Sequence, residues 1–148
     1  MLNTYIIFTK KRLAVVLMLF IAALLIFGEI YAAGNKNQDA RTNAQRISFI
    51  SSLGCETLSD TAAVKQVTIP TTFSDVYSNY NNLQKKSGYD LSDYKGCKAT
   101  LYTYSIKTPQ NYSGECALNI LVYNNRVIGG DISSLELNGF MLPLKVIN

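Results

Sequence analysis

The longest apolar segment of the chain lies near its N-terminus. Residues 13–27 are apolar without interruption, and the segment continues to Ala33 with Glu29 as its single charged residue. A helix over residues 13–33 would be about 31 Å long at roughly 1.5 Å per residue, which matches the hydrocarbon core of a bilayer. The pattern therefore predicts a transmembrane helix over residues 13–33.

Three consecutive basic residues, Lys10, Lys11 and Arg12, precede the apolar segment. By the positive-inside rule they keep residues 1–12 in the cytoplasm and direct the C-terminal part outward. A cleaved signal peptide and a secreted domain are the alternative, since a basic stretch, an apolar run and small residues at Ala32 and Ala33 are also its components. In both interpretations the rest of the chain lies outside the cytoplasmic membrane.

Beyond a polar linker over residues 34–38, one domain is expected over residues 39–148. Its first half alternates helix and strand. A first helix from residue 39 is predicted to end at Gly54, residues 55–58 and 64–69 to form strands, and a second helix to follow a cap at Thr71 or Thr72. The apolar positions at helical spacing are Ile47, Phe49, Ile50 and Leu53 in the first helix and Phe73, Val76, Tyr77, Tyr80 and Leu83 in the second.

From about residue 97, apolar residues recur at every second position instead of at helical spacing. Three strands are predicted over residues 97–106, 116–123 and 126–135, joined by a loop over residues 107–114 and by a tight turn at Asn124-Asn125. This order predicts an α+β domain of two layers, with about two helices on one face of an antiparallel sheet of four to five strands.

The last hairpin requires an irregularity. A regular ladder from the Asn124-Asn125 turn would place Asp131 beside Leu118 in an apolar row. A one-residue bulge at Gly129-Gly130 brings Ile132 opposite Leu118 instead and turns Asp131 outward toward Asn119. Such a bulge either serves to twist the sheet or opens the backbone to a ligand.

Composition excludes several classes of function. The net charge is +4, but from Gly34 onward eleven basic residues face nine acidic ones, so no basic stripe for nucleic acid remains. The chain has no His, which removes the usual general base of hydrolases and the commonest zinc ligand. We therefore expect no cofactor and no metal. Catalysis could still use a carboxylate pair of Asp131 with Asp90, Asp93 or Glu136.

Three cysteines leave at least one unpaired. The hairpin register places Cys97 near Asn124 and far from Cys116, so these two are not expected to bond. A disulfide between Cys55 and either of the others stays open.

Tyrosine is the unusual part of the composition, with ten Tyr and no Trp in the chain. Tyr102 and Tyr104 alternate with polar residues and share one sheet face, and Tyr112 lies in the neighbouring loop. Tyrosines combine a large contact area with a polar tip, which suits recognition. We therefore predict a binding surface that includes Tyr102, Tyr104, Tyr112 and Asp131. Alternatively, the rings simply cover a half-buried sheet.

The ordered set of short motifs beyond the membrane segment resembles a bacterial family, the domain of unknown function 4830. The motifs are Arg46-Ile47-x-Phe49, Leu53-Gly54-x-Glu56, Ile69-Pro70-x-x-Phe73-x-x-Val76-Tyr77, Tyr80-Asn81-x-Leu83-Gln84, Gly88-Tyr89-Asp90-Leu91, Tyr94-x-Gly96, Val127-Ile128-Gly129-Gly130-Asp131 and Gly139-Phe140-Met141. The resemblance implies Gram-positive spore-forming bacteria and a domain behind an N-terminal anchor. It implies no activity.

Together these features favour a membrane-anchored extracytoplasmic module that binds an envelope protein or peptide without catalysis. One alternative is a small envelope hydrolase that uses Asp131 and a second carboxylate. Another is a structural accessory subunit of a membrane complex, which would have an exposed apolar patch and no groove.

The predicted orientation can be tested on intact protoplasts. We expect externally added protease to degrade residues 39–148, because the basic cluster at residues 10–12 holds the N-terminus inside. The measurement is an immunoblot of the C-terminal domain, with a cytoplasmic protein as the control that must stay intact. A domain that is cut only after lysis would contradict the topology.

Overall fold

The computed structural model describes residues 17–22, 38–109 and 112–145. Residues 17–22 are helical, whereas the remainder of the predicted anchor over residues 13–33 and the basic residues 10–12 lie outside the described residues. Within the part described, no helix is both long and apolar enough to cross a membrane. Residues 38–109 and 112–145 belong to one compact unit.

This unit is an α+β domain with a five-stranded antiparallel sheet, in which each strand pairs with the next along the chain. The strands are β1 (Ala63–Thr68), β2 (Lys98–Ile106), β3 (Cys116–Tyr123), β4 (Arg126–Ser134) and β5 (Met141–Pro143). The helices are α1 (Asn43–Ser52), α2 (Asp75–Lys85) and the short 3₁₀ helix η1 (Leu91–Tyr94). The predicted class and strand number are confirmed. The candidate strand over residues 55–58 is reduced to an isolated bridge between Thr57 and Ile106, and β5 is the fifth strand.

Helix α1 begins with a capping box. The Thr42 hydroxyl accepts a hydrogen bond from the Gln45 amide, and the Gln45 side chain accepts one from the Thr42 amide in return. These bonds satisfy donors that a helix N-terminus otherwise leaves unpaired. The helix ends before Gly54, whose φ of +80° is the conformation that a glycine adopts at low cost after a helix. The predicted stop at Gly54 is confirmed.

Helix α2 differs from the prediction in its start and in its buried face. Ser74, and not Thr71 or Thr72, caps it by accepting a hydrogen bond from the Tyr77 amide. Val76, which the apolar stripe placed inside, is 80% exposed. The fully buried positions of the helix are instead the amide residues Asn81 and Gln84, whose side chains bond to buried backbone amides.

The two helices lie on opposite faces of the sheet, so the prediction of helices on one face is wrong. Leu118, Ile120 and Val122 of β3 share a core with Phe49 and Ile50 of α1. Leu121 of the same strand packs in a second core, which also contains Leu91, Tyr77 and Tyr80. Because successive side chains of a strand point to opposite faces, the central strand is covered on both sides and the domain has three layers.

The hairpin of β3 and β4 follows its prediction closely. Asn124 and Asn125 have φ values of +48° and +63° and join the strands in a two-residue turn. Val122 lies opposite Val127, but Leu121 lies opposite Gly129, so Ile128 is the extra residue of a bulge. The bulge is confirmed, although the extra residue lies just before Gly129-Gly130.

A side chain from α2 occupies the bulge. The Gly130 amide donates a 2.7 Å hydrogen bond to Oε1 of Gln84. On the same edge of β4, Asp39 bridges to Arg126, and β5 pairs from Asp131 onward. The Gln84 oxygen therefore takes the place of a backbone carbonyl between these two pairings, while the Gln84 Nε2 has no hydrogen-bond partner among the described residues. Because Gln84 fills it, the bulge is not a backbone opening for a ligand.

Gly130 is a position where an added methyl group would meet a backbone atom of the neighbouring strand. Its φ is +154°, and a Cβ there would overlap the Asn119 carbonyl oxygen and the Leu144 side chain. Gly96 offers a control, since its φ is +77° but the nearest atom to an added Cβ is Thr71 Cγ2 at 3.4 Å.

We expect Gly130→Ala to lower the free energy of unfolding by about 3 kcal/mol or more, because backbone strain and overpacking add at this position. Gly96→Ala should cost only about 1–2 kcal/mol, from backbone strain alone. Urea unfolding followed by tyrosine fluorescence measures both variants. Equal losses would contradict the close approach at Gly130.

Candidate functional site

The structure does not bring the four predicted binding residues together on one surface. Tyr104 and Asp131 are buried, with 0% and 3% of their surface exposed. Tyr102 is half-buried, and Tyr112 is 39% exposed. Of the four, only Tyr112 offers a substantial contact area to a partner.

Tyr102 and Tyr104 share a sheet face, as predicted, but α1 covers it. The Arg46 Nε donates a 2.8 Å hydrogen bond to the Tyr104 hydroxyl, which itself donates to Asn43 Oδ1 at 2.7 Å. The guanidinium carbon of Arg46 lies 3.7 Å from the centre of the Tyr102 ring. An inward-pointing arginine thus binds both rings to α1 and leaves Tyr104 no exposed surface. A contact role for the half-buried Tyr102 stays a prediction.

Asp131 lies opposite Asn119, as the bulge predicted, but it faces the α2 core and not solvent. Its carboxylate accepts hydrogen bonds of 2.9 Å from the Tyr80 hydroxyl and 2.9 Å from the Asn119 side-chain amide. The Thr103 hydroxyl donates in turn to Asn119 Oδ1 at 2.7 Å. The prediction of an outward Asp131 is corrected: the carboxylate is buried and bonded within a polar network.

Burial raises the pKa of Asp131 above its usual range, although hydrogen bonds from Asn119, Tyr80 and Ser133 act in the opposite direction. Burial and the adjacent carboxylate also raise the pKa of Tyr80 far above its usual value. Tyr80 therefore stays protonated and serves as a hydrogen-bond donor.

No second carboxylate stands beside Asp131 among the groups that shift its pKa. Asp90 bonds instead to Ser92 and Asn81, which together with Lys85 hold the pKa of its carboxyl low. Asp93 and Glu136 are exposed. The described residues thus give no support to the acid and base pair that an envelope hydrolase would need.

The three cysteines of the chain form no disulfide with one another. Cys55, Cys97 and Cys116 are free, and burial raises the pKa of the Cys55 thiol. Cys116 pairs with Ile106 at one end of β2, while Cys97 precedes the other end. The described residues also contain no group of three potential metal ligands from His, Cys, Asp and Glu.

Several exposed apolar side chains lie at one end of the sheet, which we call the loop-end surface. It comprises Leu58, the described parts of the β2–β3 loop (residues 107–109 and 112–115) and the β4–β5 connection (residues 135–140). Leu135 is 58% exposed, Leu58 is 67% exposed and Leu137 is 95% exposed. Solvent exposure of large apolar groups at neighbouring sites is typical of an interaction surface.

Two open clefts border these side chains. A cleft of about 380 Å³ is lined in part by Leu58, Ile106, Lys107, Glu115 and Leu135. A second, of about 600 Å³, is lined in part by Tyr112, Ser113, Ser134, Glu136 and Phe140. The volume of the first cleft falls within the roughly 300–1,000 Å³ of small-ligand sites. The second is a shallow depression that is largely open to solvent. The surface therefore combines apolar projections with concave space.

Local backbone geometry shapes the second cleft. Gly114 has a φ of +82°, and a Cβ there would overlap the Glu136 side chain. Asn138 turns the β4–β5 connection with a φ of +64°. The ring of Tyr112 packs against Phe140 with centroids 4.1 Å apart. Tyr112 thus links the two connections.

The family model of the domain of unknown function DUF4830 matches residues 55–132, which is more than half of the 148 residues. The chain belongs to the DUF4830 family. The family resemblance seen in the sequence is thereby confirmed. No curated protein and no solved structure matches the chain. The match covers β1 to most of β4, so Leu58 and the β2–β3 loop of this DUF4830 chain lie inside it, and the β4–β5 connection lies outside.

Sequence reasoning missed Leu137 and Glu115 of the loop-end surface, and it considered Glu136 only as a catalytic partner of Asp131. One signal was available: Leu137 stands directly before Asn138-Gly139, a dipeptide typical of tight turns. An apolar residue in a turn has no strand or helix to bury it. The meeting of Leu58 and Leu135 at one cleft, more than seventy residues apart in the chain, depends on the sheet topology.

The buried carboxylate predicts a pH dependence of stability. Because its pKa is raised in the folded state, folded DUF4830 binds this proton more tightly than the unfolded chain does. The contribution of Asp131 to stability must therefore increase as the pH falls through the folded-state pKa toward the pKa of 3.8 of an unperturbed aspartate.

We expect Asp131→Asn to abolish this gain. As the pH is lowered from about 7.5 to about 4.5, the wild type should gain stability relative to the variant. The midpoints of urea unfolding of both proteins at both pH values measure this change. Because all other carboxylates are common to the two proteins, the difference between them reports on Asp131. Parallel pH profiles would show that Asp131 titrates normally.

Proposed function

We propose that this DUF4830 chain is a membrane-anchored, non-catalytic binding module of the envelope of a Gram-positive spore-forming bacterium. The anchor is the apolar segment over residues 13–33, and the domain lies outside the membrane. The partner is an envelope protein or peptide that binds the loop-end surface. The observation that carries the proposal is the exposure of Leu58, Leu135 and Leu137 beside two open clefts.

Leu137 is the most exposed of the three leucines. Removing a leucine side chain from water is worth roughly 1.5–3 kcal/mol, and at 95% exposure Leu137 gains almost none of this in the free domain. A partner that covers the side chain would recover it. Fold stability gives no reason for an apolar residue at this position.

The clefts favour a binding module over a purely structural accessory subunit. A structural subunit would need an exposed apolar patch without a groove, whereas here concave space adjoins the apolar side chains. Peptide recognition commonly uses such a combination, with pockets for individual side chains. The proposed hydrolase activity has no comparable support, since Asp131 is buried without a second carboxylate beside it.

Site-specific photo-cross-linking in living cells tests the proposal. A benzophenone amino acid in place of Leu137 should yield a discrete cross-linked envelope protein or peptide, because the side chain is expected to lie in the interface. The same amino acid at Val76, which is 80% exposed on α2, serves as the control and should yield none.

A second measurement connects the cross-link to the apolar contact. With the photoreactive group moved to Tyr112, Leu137→Ser should reduce the yield about tenfold, as expected for loss of about 1–2 kcal/mol at an interface. Val76→Ser should leave the yield unchanged. Equal effects of the two substitutions, or equal cross-linking at positions 137 and 76, would contradict binding at the loop-end surface.

A further inference from the structure

The loop-end surface carries uncompensated negative charge. Glu115 lines the smaller cleft and Glu136 the larger one, and both residues are exposed. Neither carboxylate forms an ion pair with any of the described residues. The basic residue of this surface, Lys107, lies 3.6 Å from the Glu56 carboxylate and is thereby balanced.

This local charge is opposite to that of the domain as a whole. From Gly34 onward basic residues exceed acidic ones by two. A ligand attracted by overall charge would therefore be acidic, whereas a ligand that reaches the two clefts meets carboxylates. Complementarity at the clefts requires a cationic group.

We propose that the occupant of the loop-end surface is an extended peptide segment that pairs an apolar side chain with a nearby Lys or Arg. The apolar side chain packs against Leu135 and Leu137, and the cation binds Glu115 or Glu136. This inference rests on the proposed function, to which it adds the chemistry of the partner.

The arrangement also distinguishes a peptide from a lipid surface. Exposed leucines at a loop tip could insert into a bilayer, but interfacial segments usually surround their apolar groups with Lys and Arg. Here the flanking charges that lack a described ion-pair partner are carboxylates, which an anionic membrane repels. The observations therefore favour a cationic peptide.

Selection from a display library of random dodecapeptides tests the inference. The bait is the full-length protein in phosphatidylcholine nanodiscs. We expect enriched peptides to share an apolar residue within a few positions of Lys or Arg. Their affinity should fall about threefold to tenfold for Glu115→Gln/Glu136→Gln, because exposed charge pairs are individually weak. Added salt should produce a similar loss.

The matched control is Asp75→Asn/Asp93→Asn. Both aspartates are exposed, and they lie in α2 and η1, away from the loop-end surface. This variant has the same net charge as the Glu115→Gln/Glu136→Gln protein. It should retain the wild-type affinity for the enriched peptides. An equal loss of affinity in both variants would show that the effect comes from the net charge of the protein, and would overturn the inference.

The remaining outcomes separate the two proposals. Enriched peptides without a basic residue, or with affinity that the glutamate substitutions leave unchanged, would overturn the cationic partner and leave the binding module intact. Selection of no peptide would overturn both. Hydroxyl-radical labelling of the protein in nanodiscs without peptide gives a further outcome. If Leu137 is protected there, the surface binds lipid, and the inference is overturned.

Discussion

Ile128, the extra residue of the bulge in β4, determines which side chains of this strand lie on each face of the sheet. Before it, Val127 faces the α1 core, and after it Ile132 joins that same core, while Asp131 turns to the α2 side. A regular strand would place the carboxylate among Leu118 and its apolar neighbours. An unpaired buried charge costs several kcal/mol, so the two cores could not form as they are without the bulge.

Each core also contains a polar connection between helix and sheet. On one face, Arg46 of α1 bonds to Tyr104 of β2. On the other, Tyr80 of α2 bonds to Asp131 of β4, and Gln84 bonds to the backbone at the bulge. Apolar packing alone would allow a helix to slide or rotate on the sheet. These directional bonds fix α1 and α2 at defined positions, and buried polar groups of this kind are costly to leave unpaired.

The sequence predicted features that depend on local chemistry or on a strict period. The Asn124-Asn125 turn, the stop at Gly54 and the bulge followed from backbone preferences and from the parity of apolar positions. It did not predict the face of α2, because Gln84 is buried for a hydrogen bond to a residue 46 positions away. The inward turn of Arg46 onto Tyr104 was equally unpredictable, since arginine is rarely buried without such a partner. Of the candidate site, only Tyr112 and its loop could be read from the sequence, because the rest assembles from distant segments.

The exposed leucines and glutamates of the loop-end surface lie outside these two cores, and only Phe140 of the β4–β5 connection packs against the α1 core. The shape of this surface comes from turn residues such as Gly114 and Asn138, which adopt positive φ, and its exposed apolar side chains contribute little burial to the fold. Substitutions at Leu137 or Glu136 therefore change this surface without removing an interaction that holds a helix to the sheet. Stability and the proposed recognition thus rest on different residues. A scaffold built in this way can keep its bulge and its two buried polar connections while the chemistry of its connecting loops adapts to a partner.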